Sequence, residues 1–130
     1  MKDSEFQLLS QRLTKTEFKI NRNFSNKDKK IALKLSSNIK ISKMKNKNEG
    51  VVIFKLDIFN KKELEKYPFY INLEIEGLFS WSKNINNIDK YLKVNAPAVL
   101  MSYLRSIVTQ LTVSAGYPPL ILPLIDFTKN

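Results

Sequence analysis

The 130-residue sequence contains no cysteine and no histidine. That removes disulfides, thiolate nucleophiles, imidazole bases and zinc sites built from the usual ligands. Glycine is scarce, at three residues, and no Gly-rich phosphate loop, paired-carboxylate signature or Gly-x-Ser-x-Gly elbow is present. Neither an enzyme nor a metal or other cofactor is expected. Long apolar runs are missing as well. Met1 to Ser10 holds no stretch suited to a signal peptide. The most apolar segment, Tyr117 to Phe127, is too short to span a bilayer and contains Pro118, Pro119 and Pro123. The expectation is a cytoplasmic protein without membrane insertion.

What is present is a globular composition, 43% hydrophobic, in a length that suits one domain over residues 1–130. Acidic residues are few: 22 Lys/Arg stand against 12 Asp/Glu, a net charge of +10. The excess is uneven, with 13 basic against 5 acidic residues in 1–50, and 9 against 7 in 51–130. The N-terminal part therefore offers a positive field to acidic proteins, nucleic acid or anionic lipid. Lysine and asparagine are also frequent throughout, and charge that is scattered and not clustered reads first as solvated surface.

Period-two alternation marks four strands, within 6–20, 31–44, 51–59 and 67–81. Ile31, Leu33, Leu35, Ile39 and Ile41 share one face, and Lys34, Ser36, Asn38 and Lys40 the other. Val52, Phe54, Leu56 and Ile58 repeat the pattern, as do Phe69, Ile71, Leu73 and Ile75. Gly77 interrupts the last strand and suggests a bulge or bend there, while weak alternation in Phe6 to Ile20 suggests a kink near Leu8-Leu9. Short connections imply an antiparallel sheet with one covered face.

The cover is a helix over 95–114, with Asn95 as N-cap and Pro97 in the first turn. Leu100, Tyr103, Leu104, Ile107, Val108 and Leu111 form its apolar stripe, and Gly116 stands as the C′ residue. A short turn of helix over Asn86 to Leu92 can precede it. The proline-stiffened segment 117–127 cannot be helical, and is too apolar for an ordinary exposed loop. It either packs over a core or lines a groove.

These last elements carry a resemblance. Asn95-Ala96-Pro97-Ala98-Val99-Leu100-Met101-Ser102-Tyr103-Leu104-Arg105-Ser106-Ile107, running into Ala115-Gly116-Tyr117-Pro118-Pro119-Leu120 and ending at Asp126-Phe127, resembles the SecB protein-export chaperone family. Gly77-Leu78-Phe79-Ser80 and Phe6-Gln7-Leu8 resemble its elements upstream. The resemblance implies an α+β fold: a four-stranded antiparallel sheet covered by a long helix. It also implies a homo-oligomer, dimer or tetramer, built as a dimer of dimers with helices between sheets, and grooves that bind non-native chains without ATP. The sequence as read ends at Asn130, where the family usually continues into a second helix and an acidic tail, so that helix is not expected. Family members dock the translocase ATPase through acidic sheet residues; one such position falls at Asn72, with Glu74 and Glu76 nearby. Some SecB-like proteins instead serve an antitoxin of a toxin–antitoxin system.

The candidate groove residues are Leu33, Leu35, Phe54, Leu56, Phe79, Trp81, Tyr117, Leu120, Leu122 and Ile125, and the candidate oligomer interface is Tyr103, Ile107 and Leu111. Alternation alone fits the strand residues equally to groove lining and to core under the helix. The partners implied are unfolded preproteins or an antitoxin client. A nucleic-acid partner is the other reading of the basic run Lys27, Lys29, Lys30, Lys34, Lys40, Lys43, Lys45 and Lys47, but no helix-turn-helix, RNA-recognition motif or zinc finger accompanies it.

Overall fold

In the computed structural model, which describes residues 5–25 and 30–129, the alternating segments form one antiparallel sheet. Its strands are β1 (Phe6–Ile20), β2 (Leu35–Lys43), β3 (Glu49–Ile58) and β4 (Phe69–Trp81), in the spatial order β1-β4-β3-β2. β2 and β3 form a hairpin, whose turn holds Asn46 at φ 61°, a left-handed conformation that Asn tolerates. The chain between β1 and β2 passes from one edge of the sheet to the other. Lys27 and Lys29 of the basic run lie outside the described residues.

The irregular alternation of β1 has a geometric cause. Leu8, Leu13, Phe18 and Ile20 stand opposite Phe79, Ile75, Ile71 and Phe69 of β4. From Leu8 to Leu13, and again from Leu13 to Phe18, β1 spends five residues where β4 spends four. The register shifts fall at Leu8/Ser10 and Leu13/Lys15. Each bulge reverses the in–out phase, so Leu8, Leu13, Phe18 and Ile20 share one face although their positions are both even and odd. Leu8 and Phe18 pack against the core there, while Leu13 and Ile20 stay exposed. β4 itself runs through Gly77 unbroken, so the bulge expected there is absent. Gly77 answers a different need. A Cβ at that position would come within 2.9 Å of Leu100 Cδ2 and of Phe79 Cε2, so any larger residue would force these buried side chains to shift.

The helix begins earlier than its proline suggests. α1 (Ile88–Lys90) leads through a π turn at Tyr91–Asn95 into α2 (Ala96–Ser114). Asn95 has helical φ/ψ of −73° and −43° and makes no capping bond, which corrects its assignment as N-cap. Pro97 lacks the N–H that would bond back one turn. The π turn accommodates this, with the Ala96 N–H reaching five residues back to the Tyr91 carbonyl. The far end closes as a Schellman motif: Gly116, at φ 86°, donates to Val113 O at 3.0 Å, and Tyr117 donates to Thr112 O at 3.0 Å.

The core lies between the sheet and α2. Val52, Phe54, Leu56 and Ile58 of β3 and Ile71, Leu73 and Ile75 of β4 are fully buried against Leu92, Leu100, Leu104 and Val108. Each such side chain contributes roughly 1.5–3 kcal/mol relative to exposure. The buried stripe of α2 is rotated from the expected one: Met101 and Thr112 are buried, whereas Tyr103 is 41% exposed. Thr112 can be buried because its hydroxyl bonds the carbonyls of Val108 and Thr109. Among the described residues no helix is long and apolar enough to cross a membrane.

Candidate peptide-binding groove

Beyond the Schellman turn the chain reverses and runs extended beside α2. Three helix side chains hold its backbone. Leu120 donates its N–H to Thr112 Oγ1 at 3.0 Å, Thr109 Oγ1 donates to Leu120 O at 2.8 Å, and Arg105 Nε donates to Leu122 O at 3.0 Å. The positions 105, 109 and 112 recur at helical spacing, so all three point along one line. The segment cannot pair with a strand through its prolines, and this side-chain ladder stands in for a sheet. It fixes an alternation. Leu122 is buried and Tyr117, Leu120 and Ile125 are half-buried, while Ile121 and Leu124 are 71% and 84% exposed.

At the start of this segment lies a cavity of about 440 Å³. Phe24, Ile31 and Leu33, from the two described ends of the β1–β2 connection, form one wall. Tyr117, Pro118, Pro119 and Leu120 form the other, over a base of Phe59, Pro68, Phe69 and Thr112. Aromatic contacts stiffen it. Phe59 stacks on Tyr67 with ring centroids 4.6 Å apart, and Phe69 meets both Phe59 and Tyr117 at 5.3 Å. Phe59 adopts φ 63°, a costly conformation for a bulky residue. Its N–H donates to Lys34 O at 2.9 Å, which secures the start of β2 against the cavity. The Tyr117 hydroxyl donates to Pro68 O at 3.0 Å and spans the cavity base.

A second hollow, of about 740 Å³, opens on the other face of the sheet and shares Leu33 and Phe59 with the first. Leu35, Ser36, Asp57, Lys61, Lys62 and Tyr70 also line it. Inside it Asp57 Oδ1 accepts from the Tyr70 hydroxyl at 2.7 Å and from Asn72 Nδ2 at 2.8 Å. Burial, and then the bond to Asp57, push the Tyr70 hydroxyl pKa well above its ordinary value.

Leu33, Tyr117 and Leu120 are thus brought together, and Leu35 adjoins them. Phe54, Leu56, Phe79 and Leu122 are at most 1% exposed, so of the two readings open to the strand residues these belong to the core. Ile125 packs half-buried on that core. Trp81 sits at the opposite end of β4 from Phe69, paired with Phe6, and lines neither hollow. Phe24, Ile31, Phe59, Pro68 and Phe69 are not among the candidate groove residues: Ile31 and Phe69 read as strand positions on the apolar face, and nothing in alternation shows that they meet the segment 117–120 at the sheet's end. Thr109 and Thr112 had a legible signal, two hydroxyls three apart on an apolar helix.

On the open sheet face Glu76, Glu74 and Glu17 each have a basic partner. Arg12 bonds Glu76, Lys55 lies 3.4 Å from Glu74, and Lys61 lies 2.8 Å from Glu17. The Glu17 carboxyl is held below the usual range, chiefly by its bond to Lys61, and Glu74 likewise, chiefly by its bond to Thr14. Of the candidate interface residues, Tyr103 is exposed, whereas Ile107 and Leu111 pack half-buried against the core. Val99 and Val113 are also exposed on α2.

Comparison with known proteins places this geometry. In fold, the chain is similar to the Rv1957 SecB-like chaperone of Mycobacterium tuberculosis, solved in complex with a ChAD peptide from the Rv1956 HigA1 antitoxin. The TM-score is 0.71 at 18% identity, covering 94% of this chain and 88% of that one. In sequence, it is 32% identical over 102 residues to an uncharacterized protein of Methanocaldococcus jannaschii, covering 77% of this chain and 66% of that protein. It is 38% identical over 85 residues to the protein-export protein SecB of Jannaschia sp., covering 62% of this chain and 49% of that protein. It is also 33% identical over 78 residues to the protein-export protein SecB of Anaplasma phagocytophilum, covering 56% and 49%. The chain thus spans about half the length of these SecB relatives. The family described as preprotein translocase subunit SecB matches residues 10–129, and the four-stranded sheet under one long helix is its fold; the chain belongs to the SecB family.

Proposed function

We propose that this chain is a chaperone that holds unfolded or non-native polypeptide in the groove around Leu33, Tyr117 and Leu120, without ATP and without catalysis. The observation that carries the reading is the open apolar cavity of about 440 Å³ between Leu33 and the segment 117–120, continued by the exposed Ile121 and Leu124. An unfolded client exposes apolar side chains, and their burial there returns roughly 25 cal/mol per Å². Several weak subsites on one homo-oligomer, dimer or tetramer, combine through effective concentration, so binding needs no strict sequence code. The exposed Tyr103, Val99 and Val113 on α2 support an oligomer built through that helix face.

A dedicated antitoxin client is the second reading, favoured by the antitoxin peptide held by the similar mycobacterial chaperone. Docking to the translocase ATPase is less well supported, because Glu74 and Glu76 are already neutralised by Lys55 and Arg12. The test is light scattering of a chemically denatured protein diluted into buffer with and without the chain, alongside sizing of the chain alone. Suppression of aggregation at equimolar oligomer without ATP supports the general chaperone. Unchanged aggregation, with tight binding to a single antitoxin, selects the dedicated one. Unchanged aggregation with no antitoxin binding overturns both.

A further inference from the structure

β2 is an edge strand, and its outer backbone groups have no partner in the sheet. Such an edge can take another strand. The two edges of this sheet are not equivalent. β1 carries two register shifts, each of which interrupts the ladder an incoming strand would need. β2 pairs with β3 from Leu35↔Ile58 to Lys43↔Gly50 with no shift, so its free side presents donors and acceptors at regular spacing. Its approach leads out of the apolar cavity, since Ile31 and Leu33 line that cavity and Leu35 opens the strand.

This edge also has a charge of one sign. From Lys30 to Asn48 the sequence holds six lysines and no Asp or Glu. Lys43 is bonded to Asp89 at 2.5 Å, and Lys34 lies over the Tyr67 ring. Lys30, Lys40, Lys45 and Lys47 make no ion pair among the described residues. The open face near β1 and β4 is mixed in sign: Arg12, Lys19, Lys55 and Lys61 there each have an acidic partner, and Lys15 of β1 makes no ion pair among the described residues.

We propose that β2 takes an acidic, extended polypeptide segment as an added strand, anchored by an apolar side chain in the neighbouring cavity. The inference rests on the groove reading and adds to it the conformation of the client and the sign of its charge. Lysines on an edge discourage pairing between two copies of the same edge, since like charges would face each other. An acidic strand meets attraction where a second copy meets repulsion. A nucleic acid could meet the charge, but it offers neither amides and carbonyls in strand register nor an apolar anchor.

Three labelled peptides test this with the full chain. They share one length and one alternating apolar pattern, and carry Glu, Ser or Lys at the remaining positions. Fluorescence anisotropy should show the Glu peptide binding about tenfold tighter than the Lys peptide, the scale of a few exposed ion pairs acting together. The gap should narrow at high salt. A Lys40→Ser/Lys45→Ser/Lys47→Ser variant should lose most of the gap and bind the Ser peptide as before. N-methylation of alternate amides along one edge of the Glu peptide should weaken it. If the Ser peptide binds but the gap is absent, or survives in the triple variant, this inference fails and the groove reading stands. If no peptide binds, the groove reading fails and takes the inference with it. A single-stranded DNA of equal charge that outbinds the Glu peptide assigns the edge to nucleic acid and also overturns the inference.

Discussion

Thr112 accepts the backbone N–H of Leu120 at 3.0 Å, through the hydroxyl of a fully buried side chain on α2. That bond turns an apolar, proline-broken segment into part of the fold. With Thr109 holding the Leu120 carbonyl and Arg105 the Leu122 carbonyl, the segment has the orientation of a strand without a sheet. Because its backbone is fixed, it can present Ile121 and Leu124 to solvent while Leu122 seals the core. The cavity wall made this way faces Phe24 and Ile31.

Replacing Thr112 by Val tests the tether. The volume is nearly kept, but the amide of the half-buried Leu120 loses its acceptor on a fully buried side chain. The expected cost is about 1–3 kcal/mol in urea denaturation. Thr112→Ser keeps the oxygen and should recover the larger part of it. Limited proteolysis should cut within 117–122 faster in the Val variant. An unchanged midpoint and an unchanged cleavage rate would show that the ladder does not hold the segment.

Leu33 offers the functional counterpart. At 38% exposed it touches both hollows, so Leu33→Asp should change stability by only about 0.5 kcal/mol while placing a charge at the cavity mouth. Aggregation suppression should fall severalfold at equal chain concentration. A charge at Leu9, 50% exposed and in neither of these hollows, should leave suppression as it was. Equal losses in the two variants would mean that the assay reads surface charge and not the groove.

How far the sequence spoke is clearest in β1 and in the cavity. Alternation in 51–59 and 69–75 is strict because each of those residues faces either the helix or the open side, with no bulge between. In Phe6 to Ile20 two bulges reverse the phase, and the pattern blurs although the strand is fully formed. The helix was legible from Leu100, Leu104 and Val108. Its true start was not, since Asn95 and Pro97 together imitate a helix N-terminus, and only the π turn at Tyr91–Asn95 shows that the chain is already helical there. The cavity was half legible: Leu33, Tyr117 and Leu120 carry apolar signals in unusual places. Phe24 and Phe59 depend on how the chain crosses the end of the sheet, which no local period encodes.

The two glycines that bound the helix layer should fail differently on substitution by alanine. At Gly77 the new methyl would meet Leu100 and Phe79 at 2.9 Å and Leu8 at 3.1 Å, pushing α2 off the sheet at a cost of about 1–3 kcal/mol. At Gly116 the space is open, and the cost is the left-handed backbone alone, roughly 1–2 kcal/mol. Gly116→Asn should therefore recover part of the loss, because Asn tolerates φ near the observed 86°. At Gly77, Asn should be worse than Ala, because it is larger. Thermal unfolding of the four variants separates the mechanisms, and the same ranking at both sites would refute the distinction.

Tyr70 sets an alkaline limit on stability. Burial first, then its bond to Asp57, raise its pKa in the folded protein, whereas an unfolded tyrosine ionises near pH ~10. Below that pH both states keep the proton, and the contribution is fully present. Above it the unfolded chain releases a proton that the folded chain retains, so stability falls as pH rises towards the folded value. Lys34 and Lys66 are also shifted up, by bonds to Tyr67 and Glu63, so their contributions likewise decline at high pH. Tyr70→Phe isolates the tyrosine. It should cost about 1 kcal/mol at neutral pH through the lost bond to Asp57, and its denaturation midpoint should fall less steeply than that of the wild type above pH ~10. Parallel curves for the two proteins would mean that Tyr70 ionises as freely folded as unfolded, and that the Asp57 bond is not maintained in solution.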